Sequence, residues 1–241
     1  MTDLADFEVL SFDCYGTLID WEAGISAVLG PWARSHDPAI TDEDVLDVFA
    51  GHESRVERER PTAPYLEVLR EVFRRVGATL GHPVTDAEAE RFGRSVPDWP
   101  AFPDSSDALN RLKKHYRLVI LSNVDRASFA ASNERLGVEF DAVLTAEDIG
   151  SYKPDPANFA ALTRRVSEMG GNGRLAHVAQ SLFHDHVPAQ AAGLPTVWID
   201  RRHSKPGWGA TPAPGVGVTP DLAFPSMAAF ADAADQALGA A

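Results

Sequence analysis

The stretch Glu8-Val9-Leu10-Ser11-Phe12-Asp13-Cys14-Tyr15-Gly16-Thr17-Leu18 decides the fold of this chain. Its apolar first half is typical of a buried parallel strand, which is predicted to end at Asp13. Open α/β sheets bind their ligands at the carboxyl ends of the strands, where Asp13 then lies. Gly16 permits a sharp turn, and Thr17 brings a hydroxyl beside the carboxylate. Asp13 is therefore a candidate nucleophile, the alternative being an aspartate that only caps the turn.

Predicted strands and helices alternate along the second half of the chain, which indicates a parallel sheet with helices on both faces. The segment between the first strand and this region carries helical patterns only. The prediction is an α/β core, residues 1–19 and 101–241, with an inserted α-helical cap, residues 20–100. The helices are predicted at 22–35, 41–60, 64–80, 86–95, 104–115, 126–136, 155–169, 184–192 and 226–238, and the later strands at 117–121, 140–145, 175–179 and 196–199.

Length, charge and cysteine content limit the class of protein. A chain of 241 residues with 44% hydrophobic residues suits one large domain, or a core with a smaller insert. The net charge of −13 argues against nucleic acid and membrane surfaces as partners. The single cysteine, Cys14, excludes an intrachain disulfide. With no signal-peptide pattern and no apolar stretch of transmembrane length, a cytoplasmic location is expected.

Polar residues follow each of the first four predicted strands. Because the carboxyl ends of parallel strands share one edge of a sheet, we expect these side chains to converge. A carboxylate, hydroxyls, amides, an ammonium group and a second carboxylate at one edge indicate an active site. In chain order they are Asp13, Tyr15 and Thr17, then Ser122 and Asn123, then Lys153, and finally Gln180, Ser181 and Asp185.

Four motifs together resemble those of the haloacid dehalogenase superfamily: Asp13-Cys14-Tyr15-Gly16-Thr17, Leu121-Ser122-Asn123, Tyr152-Lys153-Pro154 and the segment 180–185. They span nearly the whole chain outside the predicted cap. The resemblance implies a Rossmann-like sheet with a cap, and Asp13 as the nucleophile. Within the superfamily the chain is more similar to the L-2-haloacid dehalogenase branch than to the phosphatases.

The position two residues after Asp13 supports that choice. Phosphatases of the superfamily have a second aspartate there, which protonates a poor leaving group, whereas this chain has Tyr15. A halide leaves without a proton. The fourth phosphatase motif usually reads Gly-Asp, but Ala179-Gln180 stands here, and the missing carboxylate weakens a Mg²⁺ site. No cofactor is therefore predicted, the alternative being a residual Mg²⁺ site from Asp13, a backbone carbonyl and Asp185.

The resemblance implies a role for each remaining candidate. Asp13 attacks the carbon that bears the leaving group, and water then hydrolyses the enzyme ester. Lys153 favours the ionised form of Asp13, while Asp185 pairs with Lys153 or positions the water. Ser122 and Asn123 hydrogen-bond the substrate carboxylate. The other residues predicted to contact the substrate are Tyr15, Trp21, Phe159, Gln180 and Ser181, with a core or cap-hinge role equally open for Trp21.

The chain departs from the dehalogenase pattern in its cap and its fourth motif. No arginine stands at 49–52, where that branch binds the halide, and Phe159 replaces a tyrosine. The charged run 57–60 is interpreted as a solvated helix face, and the basic run that begins at Arg201 as a solvated loop. The leading hypothesis is a hydrolase of small 2-substituted carboxylic acids, with 2-haloacids first. The alternatives are a Mg²⁺-dependent phosphatase and a non-catalytic binding module, and a homodimer is an expectation from the resemblance alone.

Overall fold

A six-stranded parallel sheet forms the centre of the structure, a computed structural model that describes residues 2–171, 174–203, 205–215 and 217–239. The strand order β3-β2-β1-β4-β5-β6 puts β1 between β2 and β4, so the loops after these three strands meet. The α/β prediction is confirmed, while β6 was not predicted because it is short and follows a loop rich in Gly and Pro. The strands are β1 Val9–Phe12, β2 Arg117–Ser122, β3 Ala142–Thr145, β4 Leu175–Ala179, β5 Thr196–Ile199 and β6 Leu222–Phe224.

Four α-helices form the segment between residues 20 and 100, as predicted. The side chain of Thr41 caps the second of them and Asp44 completes the capping box. Residues 20–100 contain no strand. The division into core and cap domains at 20 and 100 stays a prediction. The four helices are α1 Trp21–His36, α2 Asp42–Glu59, α3 Tyr65–Thr79 and α4 Asp86–Gly93.

The remaining helices flank the sheet. The predicted helix at 184–192 is instead a π-helix, Leu182–His186, that continues into a short α-helix. π-helical turns are frequent at functional sites, and this one carries Asp185. The α-helices of this half are α5 Ser105–Leu112, α6 Arg126–Leu136, α7 Ala146–Ile149, α8 Pro156–Glu168, α9 Val187–Ala191 and α10 Met227–Leu238.

Both faces of the central strands β1, β2 and β4 are buried, which explains their nearly continuous apolar runs. Alternate side chains of a strand point to opposite faces. Val9 therefore packs in one apolar cluster with Phe159 of α8. Leu10 and Phe12 pack in the other cluster, with Phe230 of α10. Asp13 follows this rigid strand directly, so the core fixes its position.

The ends of the helical insert lie side by side next to β1. The backbone N–H of Asp20 donates to the Pro100 carbonyl at 2.8 Å, and that of Phe102 donates to the Leu18 carbonyl at 3.0 Å. Beyond this junction the insert reaches across the strand ends, where the Tyr152 hydroxyl donates to the Ala63 carbonyl at 2.6 Å. Helices α2 and α3 are thereby held over the loops that carry the predicted site residues.

Candidate active site

Asp13 is held by one hydrogen bond on each carboxylate oxygen. The Lys153 ammonium donates to Oδ1 at 2.9 Å, and the Thr17 hydroxyl donates to Oδ2 at 2.7 Å. Thr17 Oγ1 in turn accepts from the backbone N–H of Gln180 at 2.9 Å. The carboxylate is thus oriented by groups from the loops after β1, β3 and β4. A carboxylate fixed in this way is a suitable nucleophile.

All three protons of the Lys153 ammonium group are hydrogen-bonded within the protein. They go to Asp13 Oδ1, to Asp185 Oδ1 at 2.7 Å, and to the Leu121 carbonyl at 3.0 Å. Asp185 Oδ1 also accepts from His177 Nε2 at 2.8 Å, and His177 Nδ1 lies 2.9 Å from Ser11 Oγ. The predicted pairing of Lys153 with both carboxylates is therefore present, with His177 as an additional partner.

Burial and charge act differently on the two aspartates. Burial raises the pKa of Asp13, and the Lys153 charge offsets this only in part, so the pKa lies above its ordinary value. Burial also acts to raise the pKa of Asp185, but the Lys153 charge and the His177 hydrogen bond outweigh it and hold that pKa below its ordinary range. Burial acts to lower the pKa of Lys153, but the two aspartates raise it. Lys153 and Asp185 thus favour each other's ionised form beside Asp13.

A small cavity of about 30 Å³ lies beside Asp13. A space of this size admits only a small chemical group, since about 10–15 Å³ is needed for one water molecule. Helices α2 and α3 contribute part of its wall, and the strand-end loops contribute the rest. Its lining residues are Asp13, Tyr15, Trp21, Glu53, Glu57, Tyr65, Asn123, Val124, Lys153, Ser181, His184, Asp185 and Thr211.

Several residues that we predicted to contact the substrate do not line the cavity. Phe159 packs in the buried cluster of Val9, with its ring edge-to-face against His177, so the structure does not bring it to the cavity. Ser122 is 1% exposed and has no hydrogen-bond partner for its hydroxyl among the described residues. The side chain of Gln180 faces a neighbouring depression, where its Oε1 lies 3.5 Å from Thr211 Oγ1.

Of the lining residues that were predicted, Asn123 and Tyr15 are engaged with the protein. Asn123 donates to the Lys153 carbonyl at 3.0 Å and to Glu57 at 3.2 Å. The Tyr15 hydroxyl lies 2.7 Å from Ser132 Oγ and donates to the Ser128 carbonyl at 3.2 Å, both on α6. Burial raises the pKa of this hydroxyl well above its ordinary value, so Tyr15 is not a proton donor for a leaving group.

Glu53 and Glu57 are the residues that sequence analysis missed. The charged run at 57–60 was interpreted as a solvated face, but its first residue, Glu57, is only 3% exposed. Glu53, one helical turn earlier, is 2% exposed. The signal was present in the spacing: both glutamates continue the i, i+3, i+4 stripe of Val45, Phe49 and Val56, which is the buried face of α2. Two carboxyl groups thus enter the cavity from the helical insert.

Burial changes the protonation of these glutamates. It raises the pKa of Glu53 to about 8, against a hydrogen bond from Tyr65 that acts to lower it. The pKa of Glu57 is raised well above its ordinary value by burial and by the neighbouring Glu53. Burial therefore favours the protonated form of both side chains when the cavity holds no cation.

Replacing Glu53 by Gln is expected to change how stability depends on pH. Between pH 4.5 and about 8 the folded protein retains a proton on Glu53 that the unfolded chain releases. The contribution of Glu53 to the free energy of unfolding is therefore complete below pH 4.5. It is lost as the pH rises to about 8, by up to about 1.4 kcal/mol per pH unit. Glu53→Gln should remove that slope, as measured by urea unfolding at pH 5 and pH 8.

Glu134, which is exposed, provides the matched control for that experiment. Glu134→Gln should keep the wild-type slope, since this side chain is exposed and lies outside the cavity. Identical slopes in Glu53→Gln and the wild type would show that Glu53 is ionised in the folded protein.

The basic run after β5 is also placed differently from the prediction of a solvated loop. Arg201 pairs with Asp104 at 2.9 Å and donates to the Thr17 carbonyl, and its ion-paired side chain is 9% exposed. Arg202, 7% exposed, pairs with Glu22 and Glu43. Neither guanidinium lines the cavity; instead they tie this loop to the Thr17 turn and to the helical insert.

The donor set fits Mg²⁺ poorly. Lys153 Nζ donates to both Asp13 and Asp185, so an ammonium group already lies between the two predicted carboxylate ligands. Mg²⁺ requires near-octahedral oxygen ligands and retains several waters, which the small cavity does not accommodate. Among the described residues, no group of three or more His, Cys, Asp or Glu side chains is arranged to hold a metal ion.

The fold and the site together define a class of protein: a parallel α/β protein with a buried aspartate at the carboxyl end of its first strand, held by a lysine and a threonine. The model of the haloacid dehalogenase-like hydrolase family matches residues 7–178. That match covers most of the chain, which therefore belongs to the haloacid dehalogenase-like hydrolases. Within the described parts of the chain, no helix combines the length and apolar composition needed to cross a bilayer.

Relatives of the chain have two different activities. The phosphoglycolate phosphatase of Mesorhizobium japonicum is 29% identical over 197 residues, which cover 80% of this chain and 82% of that protein. The (S)-2-haloacid dehalogenase of Pseudomonas fluorescens is 27% identical over 127 residues, 52% of this chain and 55% of that protein. The comparisons therefore establish the family of this chain but do not establish its substrate.

The fold is shared with solved haloacid dehalogenases. The L-2-haloacid dehalogenase of Xanthobacter autotrophicus, solved with chloropropionic acid covalently bound, superposes with a TM-score of 0.74. The two chains are 18% identical, and the alignment covers 94% of this chain and 97% of the other. At this identity the likeness concerns the fold.

Proposed function

We propose that this hydrolase acts on a small carboxylic acid with a leaving group at carbon 2, a 2-haloacid in the first place, through an ester on Asp13. The observation that carries the proposal is the carboxylate of Asp13, which Lys153 and Thr17 hold at the cavity. The position two residues later, where a phosphatase has an acidic residue, is Tyr15, and its hydroxyl is engaged with Ser132. A nucleophile without that acid suits a leaving group that departs as a stable anion.

In the first step an Asp13 carboxylate oxygen forms a bond to carbon 2, while the carbon–halogen bond breaks. The halide leaves with the bonding electron pair, so no proton is needed. Lys153 stabilises the ionised form of Asp13 against the burial that raises its pKa. The product of this step is a neutral ester, and the charge of Lys153 remains balanced by Asp185 at 2.7 Å.

In the second step water attacks the Asp13 carbonyl carbon, and the ester cleaves between that carbon and the oxygen of the substrate. One proton of the water goes to that departing oxygen, and the other is released to solvent. Asp185 is placed to accept a hydrogen bond from this water, because its Oδ2 is buried with no partner among the described residues. Asp13 is regenerated with one oxygen from water, and the 2-hydroxy acid leaves with an oxygen that came from Asp13.

Phosphate-ester hydrolysis is the second candidate function, and the similarity to a phosphoglycolate phosphatase over 80% of the chain favours it. This reaction also begins with attack by Asp13, but the attack is on phosphorus. It needs a proton for the leaving alkoxide, and Tyr15 is not placed to supply one. It is therefore ranked below carbon–halogen cleavage.

We expect halide release from at least one of chloroacetate, bromoacetate, fluoroacetate and 2-chloropropionate, with EDTA present throughout. The release should be unaffected by EDTA, because no proposed step uses a metal. A single turnover in water enriched in heavy oxygen should place the label in the Asp13 carboxylate, detectable by peptide mass spectrometry.

The same experiment separates the two candidate functions. In a phosphatase, water attacks phosphorus, so Asp13 stays unlabelled and the label appears in phosphate. Phosphate release that disappears with EDTA, together with no halide release, would replace the dehalogenase proposal by the phosphatase.

A further inference from the structure

Glu53 and Glu57 each leave one carboxyl oxygen available beside the nucleophile. Glu53 Oε1 accepts from the Tyr65 hydroxyl at 2.7 Å, and Glu57 Oε1 accepts from Asn123 at 3.2 Å. Neither Oε2 atom has a hydrogen-bond partner among the described residues; His184 Nε2 lies 4.0 Å from that of Glu57. Both side chains are almost fully buried and line the cavity.

The residues around the cavity do not supply a cation for these carboxyl groups. The three protons of Lys153 are taken by Asp13, Asp185 and a backbone carbonyl. Burial lowers the pKa of His184 to about 4, so this ring is neutral. Four carboxyl groups thus face one ammonium, and an anionic group entering the cavity meets no free positive charge among its lining residues.

We propose that the substrate carries a protonated amine, which binds between Glu53 and Glu57 beside Asp13. An ammonium group offers three donors and a positive charge, which two carboxylates with free oxygens match. The rings of Tyr15, Trp21 and Tyr65 line the same cavity, and aromatic rings attract organic cations. The proposal rests on the proposed function in that the amine belongs to the molecule that Asp13 attacks.

The shape of the site agrees with an amine-bearing organic molecule. The cavity of about 30 Å³ suits a small ammonium group but not a metal ion with its retained waters. A second cavity of about 340 Å³ shares Glu57 and Lys153 with it and leaves room for the rest of the molecule. Arg58 lines this larger cavity and offers a guanidinium to a substrate carboxylate.

Methylammonium is the probe for this site, and its binding is measured by saturation-transfer NMR on the methyl protons. We expect affinity to rise between pH 6 and 8, by up to about tenfold per pH unit, because the glutamates must lose a proton to bind the cation. The groups that face them are Tyr65 on α3, Asp13 after β1, Asn123 after β2, Lys153 after β3 and His184 after β4. Methylammonium stays protonated over this range, as a lysine side chain does.

Single replacements test the two carboxyl groups. Glu53→Gln and Glu57→Gln should each weaken methylammonium binding by about tenfold or more, the effect of losing one charged hydrogen-bond partner. Both should also remove part of the pH dependence, while Glu134→Gln should bind as the wild type does. Wild-type affinity in both cavity variants overturns the proposal.

The outcome is independent of catalysis because the probe lacks a leaving group. If no 2-haloacid is hydrolysed but methylammonium binds with the expected pH dependence, the amine site stands and 2-haloacids without an amine are not substrates. If 2-haloacids are hydrolysed but methylammonium does not bind, the proposed function stands and the amine site is wrong. Binding of Mg²⁺ that excludes methylammonium and is lost in Glu57→Gln would assign the glutamates to a metal instead.

Discussion

Replacing Asp13 by asparagine is expected to lower kcat by about four orders of magnitude or more, because an amide oxygen does not form the ester intermediate. The variant should still fold. Lys153 keeps its bonds to Asp185 and to the Leu121 carbonyl, and the amide keeps a shape that Thr17 can contact. Initial rates on whichever substrate the wild type hydrolyses measure the effect, with near-ultraviolet circular dichroism as the check on folding.

Asp47 supplies the matched control, since it is an exposed aspartate on α2. Asp47→Asn should retain the wild-type rate. A rate within tenfold of the wild type in Asp13→Asn would remove Asp13 from the chemistry and leave Lys153 and Asp185 as a structural ion pair.

Replacing Lys153 by methionine is expected to lower the free energy of unfolding by about 3–5 kcal/mol at pH 7, the usual cost of removing one partner of a buried ion pair. Without the ammonium, Asp13 and Asp185 face each other across a buried site, where Lys153 itself is 1% exposed. The loss should shrink toward pH 4, because protonation of the two aspartates relieves the uncompensated charge. Urea unfolding at both pH values measures it.

The sign of that pH effect follows from the aspartates of the variant. In the wild type the Lys153 charge and the His177 hydrogen bond hold the pKa of Asp185 below its ordinary value, so its contribution to stability is present at both pH values and is lost only as pH falls below about 4. Without the ammonium, burial raises the pKa of the carboxyl groups, so the folded variant takes up protons between pH 7 and pH 4 and recovers stability. The exposed residue Lys114 provides the control, and Lys114→Met should change stability by less than about 0.5 kcal/mol. A loss below 1 kcal/mol in Lys153→Met at pH 7 would mean that the aspartates are protonated in the folded protein.

The strand-end residues show how far sequence reasoning reached into the site. Asp13, Asn123, Lys153 and Asp185 were predicted to converge, and the structure brings all four to one cavity. That prediction needed only the alternation of strands and helices, because parallel strands place their carboxyl ends at one edge. Phe159 does not line that cavity. It lies on a helix, and its position in the sequence does not determine whether its side chain faces the site or the sheet.

The glutamates of α2 show what sequence reasoning could not predict. Glu57 stands in a run of alternating charges that is typical of a solvated helix face, and its burial depends on which loops pack opposite the helix. Those loops come from residues 66 positions away, as in the contact with Asn123, and from the segments after β3 and β4. No pattern in the local sequence predicts that contact, although the apolar stripe of α2 passes through both glutamates.

The sequence by itself determined the parallel α/β core, the helical segment inserted after β1 and the aspartate at the end of the first strand. Each of these follows from short-range rules on apolar periodicity, turns and strand order. Only the tertiary structure decided which charges are buried together. Lys153 meets Asp13 across 140 positions of sequence, and Glu53 and Glu57 enter the same cavity from the insert. The protonation of a carboxyl group depends on the solvent and charges around it, and these are set by packing between distant segments.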